Sequence, residues 1–145
     1  MQGLFDAIAA RITANCPSVL QVATGSKPEE IVEMFALGPD VTALVHPISI
    51  VAAPVREAGM IVSQQETWRF GVTMALVFPG GMAQFETATA EIKATLRGWL
   101  LEDASEPVQF AAQRTLQFTA GEDGGRQLEL LEFSVPTLVS YGVQS

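Results

Sequence analysis

Much of the chemistry a protein can perform is ruled out here by residues that are missing. The chain of 145 residues has a single cysteine, Cys16, so it can form no intrachain disulfide, and zinc sites built from cysteine pairs are excluded. Its one histidine, His46, stands in the apolar run Leu44-Val45-His46-Pro47. With no second histidine to join it, it reads as a satisfied packing residue. Basic residues are scarce, 8 against 16 acidic ones, and the formal net charge of −8 opposes nucleic-acid binding, which needs clustered lysine and arginine. No apolar stretch approaches the roughly 20 residues that span a bilayer. The opening MQGLFDAIAARITANC lacks the basic start and apolar run of a secretory signal, so the expectation is a chain kept in cytosol-like solvent, with no membrane. Gly80-Gly81 is too short for a phosphate loop, and no lysine followed by serine or threonine sits at P-loop spacing.

What is present is apolar. Hydrophobic residues make up 48% of the chain and charged residues 17%, a balance that argues for a real core and for surface buried by partners. The length suits one domain, residues 1–145, better than two.

Leu4, Phe5, Ile8 and Ile12 repeat at helical spacing, predicting a helix over 2–15 that Pro17 stops. Val19 to Ala23 reads as a short strand. Ser26-Lys27-Pro28-Glu29 matches a capping box for a short helix through about Phe35. Gly38-Pro39 punctuates the chain, and Val41 to Ile50 follows as a buried strand in which Pro47 demands an edge position or a bulge. Residues 50–65, with Pro54, Gly59 and the charged pair Arg56-Glu57, read as a long excursion without regular structure. From Thr67 to Phe78 the alternation is clean, with Trp68, Phe70, Val72, Met74, Leu76 and Phe78 on one side, a core stripe. Pro79-Gly80-Gly81 ends that strand.

Phe85, Thr89, Ile92, Leu96 and Trp99 predict a helix over about 82–101, with Ala88 and Leu100 on its apolar face and Arg97-Gly98-Trp99 in its last turns. Phe110 to Ala120 and Gln127 to Val139 read as a hairpin across Gly121-Glu122-Asp123-Gly124-Gly125, with a bulge at Leu130-Leu131. The expected architecture is α+β: a mainly antiparallel mixed β-sheet with two long helices packed on one face. The other face would carry Arg69, Thr73, Gln113, Thr115, Gln117 and Thr119, small and polar enough for water or a partner.

No residue set assembles into a catalytic, cofactor-binding or metal site. Glu86 with Glu91, and Glu129 with Glu132, are the available carboxylate pairs, and each reads as solvated surface. Cys16, before Pro17, reads as an inert thiol. A scaffold or interaction role follows by elimination.

The segments MQGLFDAIAARITANCPSV, ETWRFGVTMALV, LRGWLLEDASEPVQF and TLQFTAGEDGGRQLELLEFSV, taken in order, resemble the small tail terminator proteins of long-tailed bacteriophages and phage-like particles. The likeness spans nearly the whole chain. Its most distinctive element is the Gly98-Trp99 end of a helix, with Pro107 eight residues beyond the tryptophan and two strands following. The hairpin Gly121–Gly125 lacks the aromatic that related terminators often place before the last strand.

The resemblance implies a virion protein with no catalytic, cofactor or metal residues. It implies a homohexameric ring on the head-proximal end of the tail tube, assembled in the host cytoplasm, that stops tube polymerisation and offers a docking surface to the head-side connector. DNA would pass through the lumen without specific binding. Such a ring needs two complementary patches per subunit. The apolar residues of the 50–65 excursion, Ile50, Val51, Val55, Met60 and Ile61, with Arg56 and Arg69 for ion pairs, are the candidates for one patch. Two other readings stay open: a head-tail connector or tail completion protein, and a small ligand-binding domain or enzyme that uses a cavity between helices and sheet.

Overall fold

The alternating run at Thr67 lies in the central strand of a mixed sheet. The computed structural model describes residues 2–34, 41–52, 56–58, 61–77, 82–101, 104, 106–119 and 126–142. Their order is α1 (Gln2–Asn15), β1 (Val19–Thr24), α2 (Glu30–Met34), β2 (Val41–Ala52), β3 (Arg56–Ala58), β4 (Ile61–Val77), α3 (Met82–Leu96), β5 (Gln109–Thr119) and β6 (Arg126–Gly142). The strands lie in the order β1-β2-β4-β6-β5, with β3 paired to β4. Among the described residues only β1–β2 is parallel, and α2 lies on the crossover that such a pair requires. The α+β expectation holds.

Helices α1 and α3 cover one sheet face. Phe5, Ile8 and Ile12 of α1 and Phe85, Ala88, Ile92 and Leu96 of α3 pack onto Val41, Ala43 and Val45 of β2, Phe70, Val72 and Met74 of β4, and Leu131, Phe133 and Val135 of β6. Each of the larger side chains gains about 1.5–3 kcal/mol from leaving water. Register aligns Phe70, Phe133 and Phe110 in one row across three strands. Phe70 stacks on Phe133 at 5.4 Å, and Phe110 meets it edge-on at 5.6 Å.

The opposite face is not the polar surface expected. Ile31 of α2 packs on Leu44, Ala75 and Leu128, and Thr73 is wholly buried beside His46. Covering both faces also explains Leu130 and Leu131, each buried on its own side, without the bulge expected between them. The β4–β6 ladder runs unbroken from Ile61↔Gly142 to Val77↔Arg126, and the irregularities fall on β5, between Phe110 and Ala112 and between Thr115 and Gln117. The first of these shifts turns Gln113 and Thr115 toward α3, opposite Leu131 and Glu129, the reverse of the face expected for them.

Helix α3 stops at Leu96, short of the predicted 101. Gly98 takes the left-handed conformation, φ +82°, that terminates helices, and this puts Arg97-Gly98-Trp99 past the last turn. Gly98 N donates to Val108 O and Val108 N to Trp99 O, both at 2.8 Å, so the chain is clasped before β5 begins. In consequence Leu101 is buried and Leu100 is exposed, the reverse of the helical expectation. Trp99 packs on the rim of the core with the Arg11 guanidinium 4.6 Å above its ring. At α2 the reach-back expected of Glu29 is made by Glu30, whose Oε2 accepts from Ser26 N at 2.9 Å. Gly38-Pro39, Pro79-Gly80-Gly81 and the turn at 121–125 lie outside the described residues.

Candidate interaction surfaces

The described residues of 50–65, which are 50–52, 56–58 and 61–65, are strand rather than irregular excursion. β2 continues to Ala52 opposite Glu66, and Arg56, Glu57 and Ala58 of β3 pair with Ser63, Val62 and Ile61. The end of β2 and β3 pair with nearby residues of β4, and residues 61–65 of β4 pair with β6, far away in sequence. The sheet therefore outruns its helices. Strand β4, with 17 residues, extends about 57 Å, against about 21 Å for the 14 residues of α1. β1 leaves β2 after Val45 and β5 leaves β6 after Gln109↔Ser134, so the extension consists of β2, β3, β4 and β6 alone. Both of its flanks carry a proline, Pro47 and Pro136, which offers no N–H to an incoming strand.

Pro47 brings the bulge expected of it. His46 faces Gly71 and Pro47 faces Phe70, but Ser49 faces Arg69, so Ile48 is extra. The shift turns Ile50 onto the face of its partner Trp68, toward α1. Leu4 and Phe5 of α1, Ile48 and Ile50 of β2, and Trp68 of β4 then line an almost wholly apolar groove of about 240 Å³, with Arg69 at its border. Ile48 is 37% and Ile50 50% exposed. The Trp68 indole N–H donates to Glu66 Oε2 at 3.3 Å, which keeps the carboxylate over the extension and away from the groove's lining.

Of the residues expected at a subunit contact, Ile50 and Arg69 come together on this groove. Val51, Arg56 and Ile61 belong to β2, β3 and β4 opposite Thr67, Ser63 and Ala58. Val55 and Met60 lie outside the described residues. The sequence reading missed Leu4, Ile48 and Trp68. Ile48 could have been found, because a bulge at Pro47 displaces the residue that follows it.

A second groove, of about 420 Å³, opens between α3 and the β5–β6 pair. It corrects the expectation of solvated carboxylates. Glu129 and Gln127, each 8% exposed, line it. Thr115 Oγ1 donates to Glu129 Oε1 at 3.2 Å, while Glu129 Oε2 and Gln127 Oε1 are buried with no hydrogen-bond partner among the described residues. A buried acceptor left this way costs about 1–3 kcal/mol. Glu132 projects from the other face and pairs with Arg114 at 3.2 Å. Glu91 is structural: its carboxylate accepts from Ser18 N at 3.1 Å and Ser18 Oγ at 2.9 Å, tying the α1–β1 turn to α3. Glu86 is exposed, as expected.

The other reactive side chains are spent on packing. Nδ1 of His46 is 3.1 Å from Pro47 O, and Nε2 is 2.8 Å from Thr73 Oγ1. A carbonyl only accepts, so Nδ1 carries the proton and Nε2 accepts from the threonine hydroxyl. Burial pushes the imidazole below its ordinary value, against the weaker pull of the Pro47 carbonyl and of Glu29, Glu30 and Glu132. Cys16 is buried 3.4 Å from Thr95 Oγ1, and desolvation pushes its thiol up, away from the reactive thiolate. Among the described residues no three His, Cys, Asp or Glu side chains gather as metal ligands, and no helix is long and apolar enough to cross a membrane.

No family model matches the chain, and no curated protein does. A solved structure without a descriptive name aligns with 93% of this chain and 95% of its own, at 19% identity and a TM-score of 0.46, a likeness too slight to bear on function.

Proposed function

We propose that this chain is a structural subunit that closes into a homohexameric ring, acting as a tail terminator at the head-proximal end of a phage or phage-like tail tube. One observation carries the reading: a strand extension that outruns its own helices and bears an apolar groove with Ile48 and Ile50 open to water. A sheet extended past its own helical layer is stabilised by a neighbour's surface, and an apolar recess suits a contact between subunits. The ordered resemblance of four sequence segments to tail terminators supplies the biological setting.

In this reading the ring halts addition of tail tube protein and presents its far side to the head connector, with no reaction to perform. Six copies at −8 each carry a formal charge of −48, which repels the phosphate backbone and lets DNA pass without adhering. Native mass spectrometry with and without purified tail tube tests it. A six-chain assembly that loads onto tube ends is the expected result, and a monomer at all accessible concentrations with no affinity for tubes overturns it. Deletion of the gene separates this role from that of a tail completion protein: overlong tails mark a terminator, whereas tails of normal length that fail to join heads mark a completion factor. The polar groove between α3 and β5–β6 is the observation that favours a ligand-binding reading.

A further inference from the structure

We infer that the groove between α3 and the β5–β6 pair is a binding site for a guanidinium group. Its floor holds two buried acceptors in need of donors, Gln127 Oε1 and Glu129 Oε2. The two residues are two apart on one face of β6, so their Cα atoms stand about 6.8 Å from each other. Once the two side chains rotate toward the groove, a planar fork of N–H donors can bond both at once, where a compact ammonium satisfies one fully.

Charge agrees. Glu86 and Glu129 line the groove, and the single cation there, Lys93, rests its ammonium 4.5 Å from the centre of the Phe110 ring. No ion pair to Glu129 forms among the described residues. A divalent metal fits less well, because no third carboxylate, histidine or cysteine joins these two among the described residues. Guanidinium is also more weakly hydrated than ammonium, which suits an occupant that must shed water to reach a floor this deeply buried, and Phe85 offers an apolar wall beside it. The inference concerns each subunit separately and stands or falls apart from ring formation.

The test is NMR titration of the isotopically labelled full chain, following the side-chain amide signals of Gln127 and Gln113. The probes are N-acetyl-arginine amide, its neutral isostere N-acetyl-citrulline amide, and N-acetyl-lysine amide. Saturable shifts with the arginine probe, at least tenfold weaker with the other two, are expected. Equal responses to all three, or none to arginine, overturn the proposal. Glu129→Gln abolishes the response while keeping the side-chain shape. Glu86→Gln, at an exposed helix position, weakens it about threefold and guards against misfolding of the first variant. Wild-type affinity in both variants overturns the assignment. Free arginine and a glycine-serine peptide with one central arginine distinguish the sources: the peptide binding more tightly marks a side chain of another polypeptide, and free arginine binding more tightly marks a small-molecule ligand.

Discussion

His46 Nε2 and Thr73 Oγ1 lie 2.8 Å apart, both wholly buried, on the adjacent strands β2 and β4. The pair is neutral in the folded protein. Burial lowers the folded pKa of His46 below its unfolded value of 6.5, so the unfolded chain binds the extra proton. The contribution to stability is therefore complete above pH 6.5 and is lost as the pH falls below it, at up to about 1.4 kcal/mol per pH unit until the folded value is passed. Denaturant unfolding across pH 8 to 5 measures this slope. In His46→Gln the same limb flattens, whatever the variant's stability at pH 8, because the carboxylate contributions are common to both proteins.

Gly71 sits directly across from this histidine. A Cβ there meets His46 Cε1 and Leu130 Cδ1 at 2.6 Å each. The ring is held at both nitrogens and cannot swing aside without breaking a bond. Gly71→Ala is expected to destabilise the protein by about 1–3 kcal/mol, as overpacking does, although alanine is the better strand residue. Chemical denaturation reads the loss, and a smaller cost of Gly71→Ala in a Leu130→Ala background than in the wild type identifies the crowding as part of its cause.

Glu91 secures the α1–β1 turn through two bonds to Ser18. Glu91→Ala removes both and leaves the Ser18 amide without its acceptor, at an expected cost of about 1–2 kcal/mol. Ser18→Ala removes only the hydroxyl bond and costs less. Thermal unfolding of the two variants gives the order; a larger loss in Ser18→Ala contradicts the arrangement.

Ile50 is half exposed in the apolar groove. If the proposed ring forms through this groove, Ile50→Asp is expected to shift its mass to that of a single chain while the unfolding free energy of the dissociated subunit stays within about 0.5 kcal/mol of wild type, the range of surface substitutions. Light scattering paired with calorimetry reads both quantities. An intact assembly places the contact elsewhere.

Local periodicity carried much of this architecture. The stripe Leu4, Phe5, Ile8, Ile12 and the alternation from Thr67 describe elements that each bury one flank, and such elements are legible from their own residues. What failed depends on partners remote in the chain. Residues 61–65 look irregular because the strand that straightens them, β6, is remote, although the end of β2 and β3 pair with β4 close by. Leu130-Leu131 imitates a bulge because a strand covered on both sides loses its polar alternation. Glu129 reads as surface for the same reason, and so the polar groove was invisible. The shift on β5 between Phe110 and Ala112 brings Gln113 to its lining, and nothing in Phe110 to Thr119 marks where that shift falls.

The unbroken pairing of β4 with β6 has a mechanical meaning. Traction applied to opposite ends of these two 17-residue strands, along their length, loads every rung together, so none yields before its neighbours. Peeling them apart sideways would instead break the rungs one by one. A subunit whose neighbours grip the bare end of this ribbon is thus stiffest along the direction of the strands, and would transmit a tug to its helical body with little give.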